Sequence, residues 1–146
     1  MDKNAFTDAM DRMLGCSTEA VRACWGKAAM SFPGLKVYIR KGGCIAFAFT
    51  PSQEGNMTLV ASGYVVYDNS GNVLHAQGVT PVKMEDAMLE GTQDISGLAE
   101  KYGDPHADIG NSQPCFAYLS DHGTLYSVDL QDMTTCVIRE LSLLQA

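Results

Sequence analysis

A chain of 146 residues, 46% of them apolar and 18% charged, has the composition of a globular protein and not of a disordered one. At that length it buries roughly 68–70% of its unfolded surface, enough to hold together as a single domain (1–146) without a metal or a disulfide. A net charge of −7 with no basic run sets it against a phosphate backbone, which excludes nucleic acid as a partner, and no window approaches the roughly 18 uninterrupted apolar residues of a membrane span. The first residues, MDKNAFTDAMDRML, carry acids throughout and no apolar core, so they do not read as a signal peptide, and the expected location is cytoplasmic. Five cysteines without a C-x-x-C pair then read as reduced thiols in apolar surroundings. The charge is unevenly spread. Residues 1–77 hold seven Lys/Arg against six Asp/Glu, about +1, whereas residues 78–146 hold only Lys83, Lys101 and Arg139 against eleven acids, about −8.

In chain order, Phe6, Met10, Met13 and Leu14 make one apolar stripe of a first helix that Gly15 stops. Ser17 caps a second helix with Glu19 in its first turn and Val21, Trp25 and Ala28 on its buried face. Leu35, Val37 and Ile39 alternate with Lys36, Tyr38 and Arg40 as a strand does, and Lys41-Gly42-Gly43 turns it into a strand over 44–50. That strand has Ile45, Phe47 and Phe49 on one side and only small residues on the other. A β-rich run over 57–67 reaches the hairpin signal Asp68-Asn69-Ser70-Gly71-Asn72, and 73–76 returns. Thr80-Pro81 reads as the cap and first position of a third helix carrying Met84 and Met88. Thr92 caps a fourth, striped by Ile95, Leu98, Ala99 and Tyr102 and closed by Gly103-Asp104-Pro105. Strands over 114–119, 124–130 and 133–143 complete the chain.

The expected fold is therefore α+β, two αα-hairpins packed on one face of an antiparallel sheet. Thr18, Val21, Trp25 and Gly26 match Ile95, Leu98, Tyr102 and Gly103 at a constant offset of 77, which suggests sub-repeats over 1–77 and 78–146 and a tandem duplication of a helix-helix-β-hairpin unit. Over residues 91–128 the unit, with Thr92, Leu98, Tyr102, Gly103, Pro105, Asp108, Ile109, Gly110, Tyr118, Asp121 and Gly123, resembles the repeat of the β-lactamase-inhibitor-protein type. The same unit occurs in the small lipoprotein of the outer-membrane barrel-assembly machinery. That resemblance implies helices on one sheet face and a second face that contacts a protein.

No nucleophile elbow, Walker A, dinucleotide fingerprint or H-E-x-x-H motif is present, and no cofactor is expected. Asp104, His106 and Asp108, with Asp121-His122 on the next turn, offer carboxylates and imidazoles from two loops that could hold a divalent metal. Each also has a plain structural use in a turn. Cys24 lies late in its helix, where the dipole disfavours a thiolate, and reads as buried packing. The expected function is a non-enzymatic binding module that engages a protein partner through an open sheet face or hairpin loops. Tyr38, Arg40, Tyr64, Tyr118 and Tyr126 supply the anchors, Tyr and Arg being common at interfaces. The alternatives are a small-ligand pocket lined by Phe47, Phe49 and Met88, a metal-dependent enzyme using Asp104, His106 and Asp121, and a homodimer formed by strand 133–143.

Overall fold

The computed structural model describes residues 8–52, 58–83, 91–110 and 115–144. The first helix, α1, is described over residues 8–11 and unwinds through turns to Gly15. α2 spans Thr18–Trp25; the Ser17 hydroxyl accepts from the Ala20 N–H at 3.1 Å, and Gly26, at φ +82°, ends it. Strands β1 (Met30–Phe32), β2 (Leu35–Arg40), β3 (Gly43–Pro51), β4 (Leu59–Asp68) and β5 (Val73–Gln77) follow as an antiparallel meander in sequence order. The second sheet has the order β6-β10-β9-β8-β7, built from β6 (Gly91–Asp94), β7 (Ala107–Asp108), β8 (Cys115–Leu119), β9 (Thr124–Leu130) and β10 (Thr135–Ser142). Helix α3 (Ile95–Tyr102) lies between β6 and β7 in the chain.

Two αα-hairpins on one sheet are not what forms. The described chain is mostly β, with two antiparallel sheets and three short helices. Residues 79–83 do not begin a helix: Val79 is buried between the sheets, and Val82 bridges Ser120 in parallel. Thr92 is not a cap but part of β6, paired with Val137 of β10. The proposed third helix continues into residues 84–90, which lie outside the described residues, as does Met88.

The layers run helix, sheet, sheet, helix. Leu35, Val37, Cys44, Ala46, Ala48, Val65 and Tyr67 of the first sheet meet Ala107, Ile109, Ala117, Leu119, Leu125 and Leu143 across the central core. Small side chains at Cys44, Ala46 and Ala48 of β3 and Ala107 of β7 let the two backbones approach. A Cβ on Gly34 would lie 2.3 Å from the Asp108 carbonyl oxygen, so this turn needs glycine for space. Tyr67 donates its buried hydroxyl to the Ser120 carbonyl at 2.6 Å, a polar tie between the sheets. On the outer face of the first sheet, Ile45, Phe47, Phe49, Tyr64 and Val66 pack under Met10 and Val21. On the outer face of the second, Tyr118, Tyr126, Val128, Cys136 and Ile138 pack under Leu98.

Matching contacts recur in the two halves. Ser17 bridges Val60 as Asp94 pairs with Thr135, the helices that follow have eight residues each, and Gly26 and Gly103 both have positive φ. The Ala29 N–H donates to Val37 as the His106 N–H donates to Ala117. Tyr38 donates to the Gly26 carbonyl at 3.2 Å, and Tyr118 to the Gly103 carbonyl at 2.9 Å. The recurring element is thus one helix followed by a strand meander.

Candidate functional site

The tyrosines chosen as anchors lie under the helices and not on an open face. Tyr38, Tyr64, Tyr118 and Tyr126 are all at most 3% exposed. Tyr38 and Tyr118 anchor helix exits as described, and Tyr64 donates to the Asp11 carboxylate of α1, a bond that together with burial raises its pKa. Tyr126 lies 3.1 Å from His122 Nε2, and burial lifts its hydroxyl to about 12. Arg40 is half-buried with its guanidinium 4.3 Å above the Trp25 ring, a cation–π contact that covers the aromatic cluster. Each tyrosine supplies a wide apolar ring and one satisfied hydroxyl, which is core chemistry. Phe47 is wholly buried among Trp25, Tyr38 and Tyr64. β10 lies between β9 and β6, so both of its edges are paired along much of its length.

The acid–imidazole string divides. Asp108 Oδ1 accepts from the Gly110 N–H at 2.9 Å and from the Cys115 N–H at 3.4 Å. His122 sits between Asp121, at 3.2 Å, and Tyr126 on the β8–β9 turn. His106 Nδ1 accepts the Leu119 N–H at 2.8 Å, which fixes the neutral tautomer with hydrogen on Nε2. Burial pushes its pKa below the ordinary imidazole value, partly opposed by the Thr80 backbone. Among the described residues no group of three or more His, Cys, Asp or Glu side chains is placed to hold a metal ion. None of the five cysteines is in a disulfide. Cys44 is buried with its thiol pushed up to about 11, and burial beside Asp129 lifts Cys115 to about 12. Cys24, expected to be buried, is exposed.

What the fold does build around the string is a groove. Residues 104–110 run past three adjoining cavities. The first, about 620 Å³, is lined by Thr50, Ser62, residues 78–83, Lys101, Tyr102, Asp104, Pro105 and His106. A second, about 350 Å³, shares Thr50, Pro105 and His106 with it and is largely apolar, bounded by Pro33, Phe49, Pro51, Leu59 and Phe116. The third, about 610 Å³, begins at Gly110 and Ile109 and crosses the part of the second sheet's inner face that the first sheet leaves uncovered: Cys115, Ser127, Asp129, Arg139 and Leu141. Leu141 is 42% exposed there. Lys83 and Lys101 line the first cavity and Arg139 the third, so all three cations of residues 78–146 border this groove, together with the acids Asp104, Asp108, Asp129 and Glu140. Arg139 is also 3.3 Å from Asp129, an exposed pair of little energetic weight. Of the expected small-ligand lining, Phe49 borders the second cavity and Phe47 is wholly buried, while Met88 lies outside the described residues. The sequence carried one usable signal: in a half with eleven acids, three isolated cations are worth following.

Comparison with protein-family models, curated proteins and solved structures returned no match. No helix of the described residues is long and apolar enough to cross a membrane.

Proposed function

We propose that this chain is a protein-binding module that receives an extended segment of a partner in the groove along residues 104–110. The observation that carries the reading is the placement of Lys83, Lys101 and Arg139, every cation of an otherwise acidic half, along one channel whose middle is apolar. Such a channel suits a strand-like peptide with acidic residues toward its ends and apolar ones between, since charge complementarity orients the segment and apolar burial supplies affinity. Seven extended residues span roughly 23–25 Å, a length over which both contributions act together. Five cysteines outside any disulfide suit a reducing, cytoplasmic setting. The matched helix exits and strand pairings support reading 1–77 and 78–146 as sub-repeats whose seam forms the groove.

The test is selection of a random displayed peptide library on the purified chain, followed by affinity measurement against two variants. Lys83→Glu with Lys101→Glu reverses charge at one end, and Thr50→Trp fills the wall shared by two cavities. Selected peptides are expected to carry acids flanking apolar residues and to weaken at least about tenfold on each variant, a loss of about 1.4 kcal/mol. Peptides without that pattern, or with unchanged affinity for both variants, contradict the reading.

A further inference from the structure

A second cavity system lies apart from the groove and shares no lining residue with it. Beside α2, the exit from that helix and the outer ends of β1 and β2 enclose about 230 Å³. Three cations line it, Arg22 from the helix, Lys27 from the exit and Lys36 from β2, against one acid, Glu19. In the sequence these cations are far enough apart to form no basic run; the strand pairing Ser31↔Lys36 and the turn after α2 bring them together.

Among the described residues no ion pair neutralises them. The salt bridges among the described residues join His122 to Asp121 and Arg139 to Asp129, both elsewhere. The Lys36 ammonium is held by the Ser31 hydroxyl at 2.7 Å, a neutral partner. Burial and the charge of Arg22 together lower the Lys36 pKa, so the cations feel one another. Like charges gathered at one concavity cost folding free energy that an entering anion offsets.

Comparison with the second half shows that the scaffold does not require these cations. The helix-exit glycine and its tyrosine clamp recur at Gly103 and Tyr118, but the positions matching Arg22, Lys27 and Lys36 hold Ala99, Asp104 and Phe116. The clamp is common to both halves. The charge trio belongs to one.

We propose that the pocket formed by Arg22, Lys27 and Lys36 beside Tyr38 is a binding site for a phosphoryl group. A phosphate offers about −1.5 to −2 charge and several acceptor oxygens, a fit to three converging cationic donors that a single carboxylate matches less well. At about 230 Å³ the cavity has room for a phosphoryl group together with part of a molecule that carries it. Inorganic phosphate or a small phosphomonoester could bring the same chemistry, and the two are told apart by direct titration.

The test uses the isotope-labelled full chain, titrated at constant ionic strength with inorganic phosphate, with O-phosphoserine and with sodium acetate. Both phosphoryl probes are expected to saturate and to shift the amides of Gly26, Lys27, Ala28 and Ser31, with acetate at least about fivefold weaker. Tighter binding by O-phosphoserine than by phosphate identifies a phosphomonoester as the ligand, and the reverse order identifies the free anion. Arg22→Gln with Lys27→Gln, both exposed positions, is expected to weaken binding at least tenfold with an unchanged melting temperature. Lys36→Met is expected to act likewise. Shifts that track ionic strength alone, that map elsewhere, or that persist in both variants overturn the proposal. Because these residues lie outside the groove, failure here leaves the peptide reading intact, and the converse also holds.

Discussion

His106 shows how one side chain serves both the fold and the groove. Its backbone N–H donates to Ala117, its Nδ1 accepts from Leu119, and its ring lines two cavities. Because burial lowers its folded pKa, the unfolded chain takes up a proton first as pH falls through about 6.5. Below that value the unfolded state therefore binds more protons, and stability declines until the folded imidazole also titrates. His106→Gln is expected to flatten the fall in unfolding free energy between about pH 7 and 5.5, removing a slope of at most about 1.4 kcal/mol per pH unit. Chemical denaturation at stepped pH checks this; parallel profiles for the two proteins contradict it. The residue types were legible in the sequence but their use was not. Asp, His and Asp at alternate positions look like ligands, yet Asp108 is occupied by two N–H donors and His106 by one.

Strands were the readable elements. Alternation placed β2, β3 and β9 closely, and the Asp68–Asn72 and Ser120–Gly123 turns formed where turn-forming residues put them. The helix start at Thr80-Pro81 and the cap at Thr92 do not form because Thr-Pro and a Gly-Thr pair satisfy only local helix grammar, while pairing with β10 and the bridge to Ser120 are decided by distant chain. The missed signal was the small face of β3. Cys44, Ala46 and Ala48, opposite Ile45, Phe47 and Phe49, mark a strand with both faces buried, and the small side is where a second sheet comes close. Gly34 measures that closeness. Gly34→Ala places a Cβ against the Asp108 backbone and must push β7 away from the β1–β2 turn. The expected cost is about 1–3 kcal/mol by denaturant titration, an overpacking loss and not a backbone one, because the residue has no positive φ. An unchanged midpoint would show that the sheets are not held at that spacing.

At the scale of the molecule, covering both outer sheet faces with helices removes the open face expected from the sequence. What remains accessible is the seam. The first sheet is largely covered: its outer face packs under α1 and α2 and its inner face against the second sheet, with Ile39 and Leu74 left exposed. The second sheet is longer than its cover, so Ser127, Asp129, Arg139 and Leu141 are left along the groove. Charge asymmetry, visible in the sequence, acquires a location only in three dimensions: Lys83 and Lys101 gather at one end of the channel and Arg139 at the other. The most direct measurement of the central claim is the amide spectrum of the labelled chain with and without a library-selected acidic–apolar peptide. The amides of Asp104, residues 106–110, Thr50, Val82 and Leu141 are expected to shift together and to saturate at one equivalent. Shifts confined to other surfaces, or none at saturating peptide, would contradict the groove as the binding site.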